Sequence, residues 1–303
     1  MLTEDQLNKY LEYIFDIHKL GSIETSSRLN IGYNRVVTSV NNELVVKMCF
    51  DATKLDGFRR EIEYYENDKN TFHPNLITYD LTGNVFPFYY SIEEKVHGIN
   101  LFTIWGTLSQ EERKKVLMQL TNIFKIIHDI RCLGNQAIFS LQADFDKYLG
   151  KIITMELLPQ GKVDYLCELK NRIDSLFKTA KFGMIHGDIH YNNIVYLDGE
   201  IKIVDFECYK AASLDREFDT LSRMVRNPNG FIHKESQTEV DSKDYKDIIP
   251  FFKEYYPEVC SLDGFGERLL MYDCLNSLKW YTIYPEHKPY NEILFEKSQR
   301  LTR

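Results

Sequence analysis

Long apolar runs are missing from this 303-residue chain. Hydrophobic residues make up 44% of it, yet no stretch approaches the roughly 18 consecutive apolar residues that a membrane span needs. Paired cysteines are missing too. Cys49, Cys132, Cys167, Cys208, Cys260 and Cys274 are scattered, with no C-x-x-C. This excludes a zinc ribbon and points to reduced, mostly buried thiols instead of a disulfide frame. The opening MLTEDQLNKY has no basic segment leading into an apolar one, so no secretory signal is expected and the location expected is cytoplasmic. Basic charge is in deficit. Against 45 Asp and Glu stand 37 Lys and Arg, for a net charge of −8. That balance disfavours nucleic acid as a partner and permits a cationic one. The deficit is concentrated from Phe206 to Leu275, where there are 14 acids and 9 bases. A solvated acidic surface and a negative cleft that attracts amines both fit it. No internal repeat or low-complexity tract is present.

What the chain does have is a dense run of spaced polar chemistry, Gly183 to Glu207, reading GMIHGDIHYNNIVYLDGEIKIVDFE. Asp198-Gly199 is a two-residue type I′ turn signal between two β-rich runs, Asn193 to Leu197 and Glu200 to Val204. Pairing outward from the turn sets Leu197 opposite Glu200, Ile194 opposite Ile203 and Asn193 opposite Val204. Asn193 and Asp205 then emerge at the open end, with Asp188 just before. A carboxylate to take a hydroxyl proton, beside two oxygen donors for a divalent ion, is the layout phosphoryl transfer needs. Unbroken alternation would send Asn193 and Asp205 to opposite faces, so the ladder is expected to end or twist there. A loop whose polar residues only cap turns is the alternative.

His186-x-Asp188, Asn193 five residues on, and Asp205-Phe206 after the hairpin resemble the catalytic and metal-binding loops of kinases. With Gly187 between His186 and Asp188, and Glu207 after Phe206, the pattern is similar to the aminoglycoside phosphotransferase and choline kinase group of small-molecule kinases. That resemblance implies an α+β, two-lobed protein-kinase-like fold. Its β-rich N-lobe would cover residues 1–97 and its mainly helical C-lobe residues 98–303, with the nucleotide in the cleft. It implies a phosphotransferase using ATP (or GTP) and Mg²⁺. The acceptor would be a hydroxyl of a small, cationic molecule: an aminoglycoside or other amino-sugar first, choline, ethanolamine or another metabolite as the alternative. The resulting role would be drug resistance or metabolism. No membrane or nucleic-acid partner is implied, and the chain would be a monomer or homodimer. A nucleotide-binding regulator without catalysis is the reading from another class; intact Lys47, Asp188, Asn193 and Asp205 count against it. No Ala-Pro-Glu segment follows Glu207 and there is little room for an activation loop, which separates the chain from protein kinases.

The resemblance also assigns roles. Asp188 would accept the hydroxyl proton while His186 shapes its loop. Asn193 and Asp205 would hold Mg²⁺. Lys47 would steady the α/β-phosphates, with Glu61 positioning it and Gly32 and Asn34 in the phosphate loop. Main-chain groups around Glu94 and Val96 would take the base. Asp219 would hold the catalytic loop in shape. Glu207, Asp215, Trp280 and Tyr284 are candidates for the acceptor.

The flanking segments are read from their patterns. Leu7, Leu11 and Ile14 mark a packing helix over Thr3 to Leu20. Lys47 lies in an apolar strand, Glu43 to Cys49, and a two-residue turn at Asn41-Asn42 would set it opposite Val36. A lysine that guards a sheet edge is the bland reading of it. Phe58, Ile62 and Tyr65 give Asp56 to Asn67 an inward stripe bordered by Glu61, which could instead pair along its own helix. Ser109 caps a helix reaching Ile130, at whose end His128 reads as structural. Further helices are expected over Tyr148 to Met155, Val163 to Lys178, Asp244 to Tyr256 and Gly264 to Tyr284. In the last, Trp280, Tyr281 and Tyr284 read as core, or as a platform for a substrate ring.

Overall fold

The computed structural model describes residues 3–31, 35–130, 134–231 and 240–286. The chain divides into two compact units, one of Met1–Leu101 with Asn193–Tyr209, the other of Phe102–Asn192 with the chain from Lys210 onward. The sequence alone placed a single boundary near Gly98. The first unit also takes in the Asp198-Gly199 hairpin and the residues after it, and local bonds explain why. Ile203 N–H donates to Phe72 O at 2.7 Å, Ile99–Asn100 pairs with Ile194–Leu197, and the Phe206 ring stacks on Tyr64 with centroids 3.9 Å apart.

The first unit is built on a five-stranded antiparallel sheet of β1 (Ser26–Ile31), β2 (Val36–Val40), β3 (Leu44–Cys49), β4 (Leu76–Asp80) and β5 (Tyr89–Glu94), in the order β1-β2-β3-β5-β4. Helix α1 (Glu4–His18) starts in a capping box between Thr3 and Gln6. Its Leu7, Leu11, Ile14 and Phe15 pack with Val46, Met48, Tyr90 and Ile92. Helix α2 (Leu55–Asn67) sets Phe58 and Ile62 against Cys49. Strand side chains alternate, so Lys47 shares a face with Cys49, toward α2, and not with Val46 and Met48.

The β2–β3 connection differs from its sequence reading. The turn has three residues, Asn41 to Glu43, with Asn41 and Asn42 at φ 51° and 56°, a region asparagine tolerates. Val40 therefore pairs with Leu44, and Lys47 sits opposite Val37, not Val36. The Asn41 side chain fixes this turn: it accepts from the Glu24 and Thr25 amides and donates to Ser22 O. The second hairpin keeps the expected register, with Leu197 opposite Glu200 and Ile194 opposite Ile203. Asp198 and Gly199 both have positive φ, as a type I′ turn requires.

The second unit is mainly helical: α3 (Gln110–His128), α4 (Gly134–Thr154), α5 (Gln160–Asn171), α6 (Glu217–Arg226), α7 (Ile248–Tyr255) and α8 (Phe265–Ile283), besides shorter turns. A two-stranded pair, Phe182–Ile185 with Lys210–Ser213, carries the chain into and out of the catalytic-loop segment. Ser109 and Glu112 form the capping box of α3. Helix α4 starts well before Tyr148, because buried Leu141, Phe145, Leu149 and Ile152 continue one face at spacings of three and four. Among the described residues no helix is long and apolar enough to cross a membrane, and Cys49, Cys167, Cys208, Cys260 and Cys274 are free thiols.

Gly98 shows how tightly the first unit closes on its hairpin. Its φ is +137°, and a Cβ there would lie 2.5 Å from Tyr196 O and 2.7 Å from a Val195 methyl carbon. Gly98→Ala should therefore lower Tm by roughly 5 °C or more, since a strained φ costs about 1–3 kcal/mol before the clash is counted. Thermal melting followed by circular dichroism checks this; an unchanged Tm would mean the backbone at Gly98 is not held against Tyr196.

Candidate active site

Within the first unit, four buried or half-buried charged groups converge on α2. Lys47 Nζ donates to Glu61 Oε1 at 2.8 Å and to Glu93 Oε1 at 2.9 Å. The expected Lys47–Glu61 pair is thus formed. It follows from the alternation that turns Lys47 toward α2 and from the helical stripe that turns Glu61 toward β3. Glu61 is shared. Its second oxygen accepts from Arg35, whose other amino group donates to Glu207 Oε2 at 3.0 Å. The Arg35 guanidinium also lies 4.8 Å over the Phe58 ring. Burial works to raise the Glu61 carboxyl, but the charges of Lys47 and Arg35 hold it down at about 2. Burial works to lower Lys47, and Glu61 and Glu93 hold it above the ordinary lysine value. Glu61 is therefore a carboxylate and Lys47 an ammonium across the whole physiological range.

The hairpin end behaves as alternation demanded. Val204 N–H donates to Asn193 O at 3.0 Å, closing the last rung. Asp205 then turns into the left-handed region at φ 67°, ψ 65°, so the strand twists where the two donors emerge. Asn193 is buried at the end of a 3₁₀ turn over Tyr191–Asn193. The segment beyond is docked on α2: Arg60 Nε and Nη2 donate to Glu207 O at 3.1 and 2.9 Å. Among the described residues, no three His, Cys, Asp or Glu side chains form a metal cluster on their own. One carboxylate and one amide oxygen instead suit a hard ion that keeps water and phosphate oxygens in its sphere, as Mg²⁺ does. Of the other nucleotide candidates, the Glu94 amide donates to Asn75 O (2.9 Å), and the Lys95 amide to Glu43 O (2.7 Å). Val96 is half-buried in the link that follows. Gly32 and Asn34 lie outside the described residues.

Within the second unit, Asp188 follows Gly187, whose φ of +84° suits glycine. Thr220 Oγ1 donates to Asp188 Oδ1 at 3.3 Å and itself accepts from Arg223 at 2.9 Å. His190 Nε2 stands 3.7 Å from Asp188 Oδ2. His186 is fully buried, and its Nδ1 accepts from the Asp188 amide at 3.3 Å, the loop-shaping geometry expected of it. The carboxylate that gathers this loop is not Asp219. Glu217 accepts from the His186 amide at 2.7 Å and the Gly187 amide at 3.1 Å, whereas Asp219 pairs with Arg223 at 3.2 Å. Glu217 is the first residue of α6, so Asp219, two positions on, projects to another side of the helix. His128 completes the arrangement, with Nε2 3.4 Å from Glu217 and Nδ1 2.9 Å from the Tyr256 hydroxyl. Burial works to raise Glu217, but the bond from His128 and the Gly187 amide keep its carboxyl below the usual value. The Glu217 carboxyl is thereby held toward its ionised form, with one ring nitrogen of His128 facing it and the other facing the Tyr256 hydroxyl.

Two acceptor candidates are redirected. Asp215 is buried as the ion-pair partner of Arg268 and accepts from Tyr272 (2.8 Å) and Ser213 (2.5 Å), so it holds α8 in place and offers no charge to a ligand. Glu207 is engaged by Arg35, as above. Tyr281 is core, its hydroxyl donating to Leu157 O at 2.9 Å. Trp280 and Tyr284 stack at 5.8 Å and 15° near the end of α8, and Tyr284 is exposed. The sequence reading did not single out Arg35, Glu93, Glu217, His190 or Thr220.

A family model, the phosphotransferase enzyme family APH, matches residues 30–230. Among solved structures, the streptomycin–ATP ternary complex of APH(2")-IIa superposes with TM-score 0.69 at 15% identity, over 100% of this chain and 97% of that one. The GDP complex of wild-type aminoglycoside 2'-phosphotransferase-IIIa gives 0.69 at 12%, over 98% and 99%. A thermostable mutant of APH(4)-Ia, in ternary complex with AMP-PNP and hygromycin B, gives 0.64 at 14%, over 95% and 96%. Likeness at these identities is likeness of fold: a kinase-like one, with a β-sheet N-lobe and a helical C-lobe. With most of its length inside the family model, including the whole of 183–207, this chain belongs to the APH phosphotransferase enzyme family.

Proposed function

We propose that this phosphotransferase moves the γ-phosphoryl group of ATP or GTP to a hydroxyl of a small cationic acceptor, with an aminoglycoside or other amino-sugar ranked first. The observation that carries the reading is the buried Lys47–Glu61 pair, 2.8 Å long, in a member of a phosphotransferase family. A lysine kept charged in an apolar sheet has a role once polyphosphate is bound, and little reason to be retained otherwise. The solved neighbours carry nucleotides and aminoglycosides, which supports this acceptor class, as does the acidic balance of the chain.

In this reading Lys47 steadies the α/β-phosphates and Glu61 fixes its direction. Asn193 and Asp205 hold Mg²⁺, which when bound neutralises charge on the phosphate oxygens. Asp188, held at one oxygen by Thr220, takes the hydroxyl proton of the acceptor. Glu217 fixes the backbone on which Asp188 stands. The Glu94 and Lys95 amides are already committed, so base recognition falls to the Val96 main chain and the Glu94 carbonyl. Trp280 and Tyr284 remain candidates for an acceptor ring.

A screen of purified protein with Mg²⁺-ATP and Mg²⁺-GTP against aminoglycosides, amino alcohols and sugars tests the acceptor; transfer to choline or ethanolamine alone would replace the aminoglycoside assignment. Asp188→Ala should lower kcat on the order of 10²- to 10⁴-fold, the usual worth of a positioned base, with nucleotide affinity kept. Asp205→Ala should lose turnover as well and also weaken Mg²⁺-dependent nucleotide binding. Near-wild-type turnover in either variant would remove that residue from the mechanism.

The lysine cluster also titrates. Burial lifts the Glu93 carboxyl to about 7, with Glu61 adding to the rise and Lys47 and Arg35 opposing it. A carboxyl raised in the folded state stabilises most below its ordinary value of 4.5, and that contribution is lost as pH rises through about 7. The Tm difference between Glu93→Gln and wild type should therefore shift in favour of the variant as pH goes from about 5 to about 8. A difference that stays flat, or moves the other way, would show that Glu93 titrates as an ordinary paired carboxylate.

A further inference from the structure

Arg35 is the one side chain among the described residues that bonds both Glu61 and Glu207. It is buried, with 8% of its surface exposed, and its Nε has no hydrogen-bond partner among the described residues. Burying a guanidinium is costly unless the geometry it fixes is needed. Its two carboxylate partners come from distant parts of the chain, 26 and 172 residues away. One is the anchor of Lys47. The other lies two residues beyond Asp205, the proposed metal ligand. The remaining ties on that loop, Arg60 to the Glu207 carbonyl and Tyr64 to the Phe206 ring, fix its backbone and its core-facing side. Arg35 links the loop, through the Glu207 side chain, to the phosphate-facing pair.

Resting on the function proposed above, we propose that Arg35 is a positioning residue: it locks the Asp205 loop, through Glu207, to the Lys47–Glu61 pair, so that metal ligand and phosphate ligand keep one spacing. It touches neither substrate nor metal. Lys47 keeps its own bonds to Glu61 and Glu93 when Arg35 is removed, so metal-free nucleotide binding survives. The loop that carries Asp205 loses its side-chain tie, so metal-dependent binding suffers.

Charge alone makes the opposite forecast for one variant, which gives the test its edge. Removing a cation near Asp205 would by itself strengthen Mg²⁺ binding, and removing the Glu207 anion would weaken it. Loss of positioning weakens it in both. The experiment is calorimetric titration of ATP and GTP, in EDTA and across a Mg²⁺ series, with kcat at each Mg²⁺ level, on wild type, Arg35→Met, Arg35→Lys and Glu207→Gln. Arg35→Met and Glu207→Gln should each raise the Mg²⁺ half-saturation on the order of tenfold, the worth of one charge-assisted hydrogen bond, with nucleotide affinity in EDTA unchanged. Arg35→Lys should fall between, because a single ammonium cannot fork to two carboxylates.

Unchanged or tightened Mg²⁺ half-saturation in Arg35→Met overturns the proposal, the first by making the residue merely structural, the second by reducing it to a through-space charge. If Arg35→Met does not fold, Arg35→Lys decides, because it keeps the charge and loses the fork: a raised Mg²⁺ half-saturation supports the lock, and a wild-type value overturns it. Wild type that shows no Mg²⁺-dependent nucleotide binding at all would instead sink the functional reading on which this rests.

Discussion

Everything chemical in the N-terminal unit depends on one buried carboxylate. Glu61 is almost wholly removed from solvent, and an ion of that size cannot be left unpaired there without a cost of several kcal/mol. It is kept charged by two cations, one on each oxygen: Lys47 from β3 and Arg35 from the start of β2. Neither cation could be buried without it. Both cations require the carboxylate, and the three groups come from different parts of the unit, so the relative placement of β2, β3 and α2 is written into a single electrostatic knot. Hydrophobic contact between Cys49, Phe58 and Ile62 brings helix and sheet together but does not choose among registers a few ångströms apart. The charged cluster does, because an ion pair that slips leaves a bare charge in an apolar interior.

The second unit uses the same device for a different purpose. Glu217 is a buried carboxylate that gathers two backbone amides and one imidazole. A loop with a left-handed glycine and consecutive polar residues would have little reason to hold one shape. Two amides converging on one carboxylate give it one, and they lie immediately before Asp188. His128 helps hold the carboxyl below its usual value, and Tyr256 extends the arrangement outward from the imidazole. The side chain that would do the chemistry is thus placed through main-chain bonds of its neighbours.

These two carboxylates also mark where the sequence was legible. The second hairpin could be read to the residue because Asp-Gly selects one turn type and the turn fixes the register of every rung. Asn41-Asn42 could not, since asparagine admits the left-handed region without dictating loop length; the bonds of Asn41 to residues 22–25 made the turn one residue longer. Glu61 was recoverable because the resemblance implied a helix acid to hold Lys47, and helix periodicity set Glu61 at the border of the inward stripe. Glu217 was not, because two acids stand two residues apart at the start of α6 and only the loop's position selects between them. Asp215 was taken as a candidate for the acceptor because its partner, Arg268, lies 53 residues away. Arg35 escaped for the same reason: an arginine at the mouth of a strand has no period, and the acids it bridges are remote in the chain. Local order was visible in the sequence, and long-range ion pairing was not.

The charge balance of the cluster explains why Glu93 behaves unlike Glu61, although both touch Lys47. The two cations, Lys47 and Arg35, already face Glu61 and Glu207, with Asp205 also acting on both. Ionising Glu93 adds a further buried negative charge with no cation of its own, beside another carboxylate. Burial therefore raises Glu93 while the same lysine and arginine depress Glu61. A polyphosphate brought to Lys47 would compete for that ammonium with Glu93 sooner than with Glu61, because Glu61 keeps Arg35 and Glu93 keeps nothing else. The lysine can then release one partner and retain the other. Such an arrangement lets it meet a phosphate without surrendering its place in the fold.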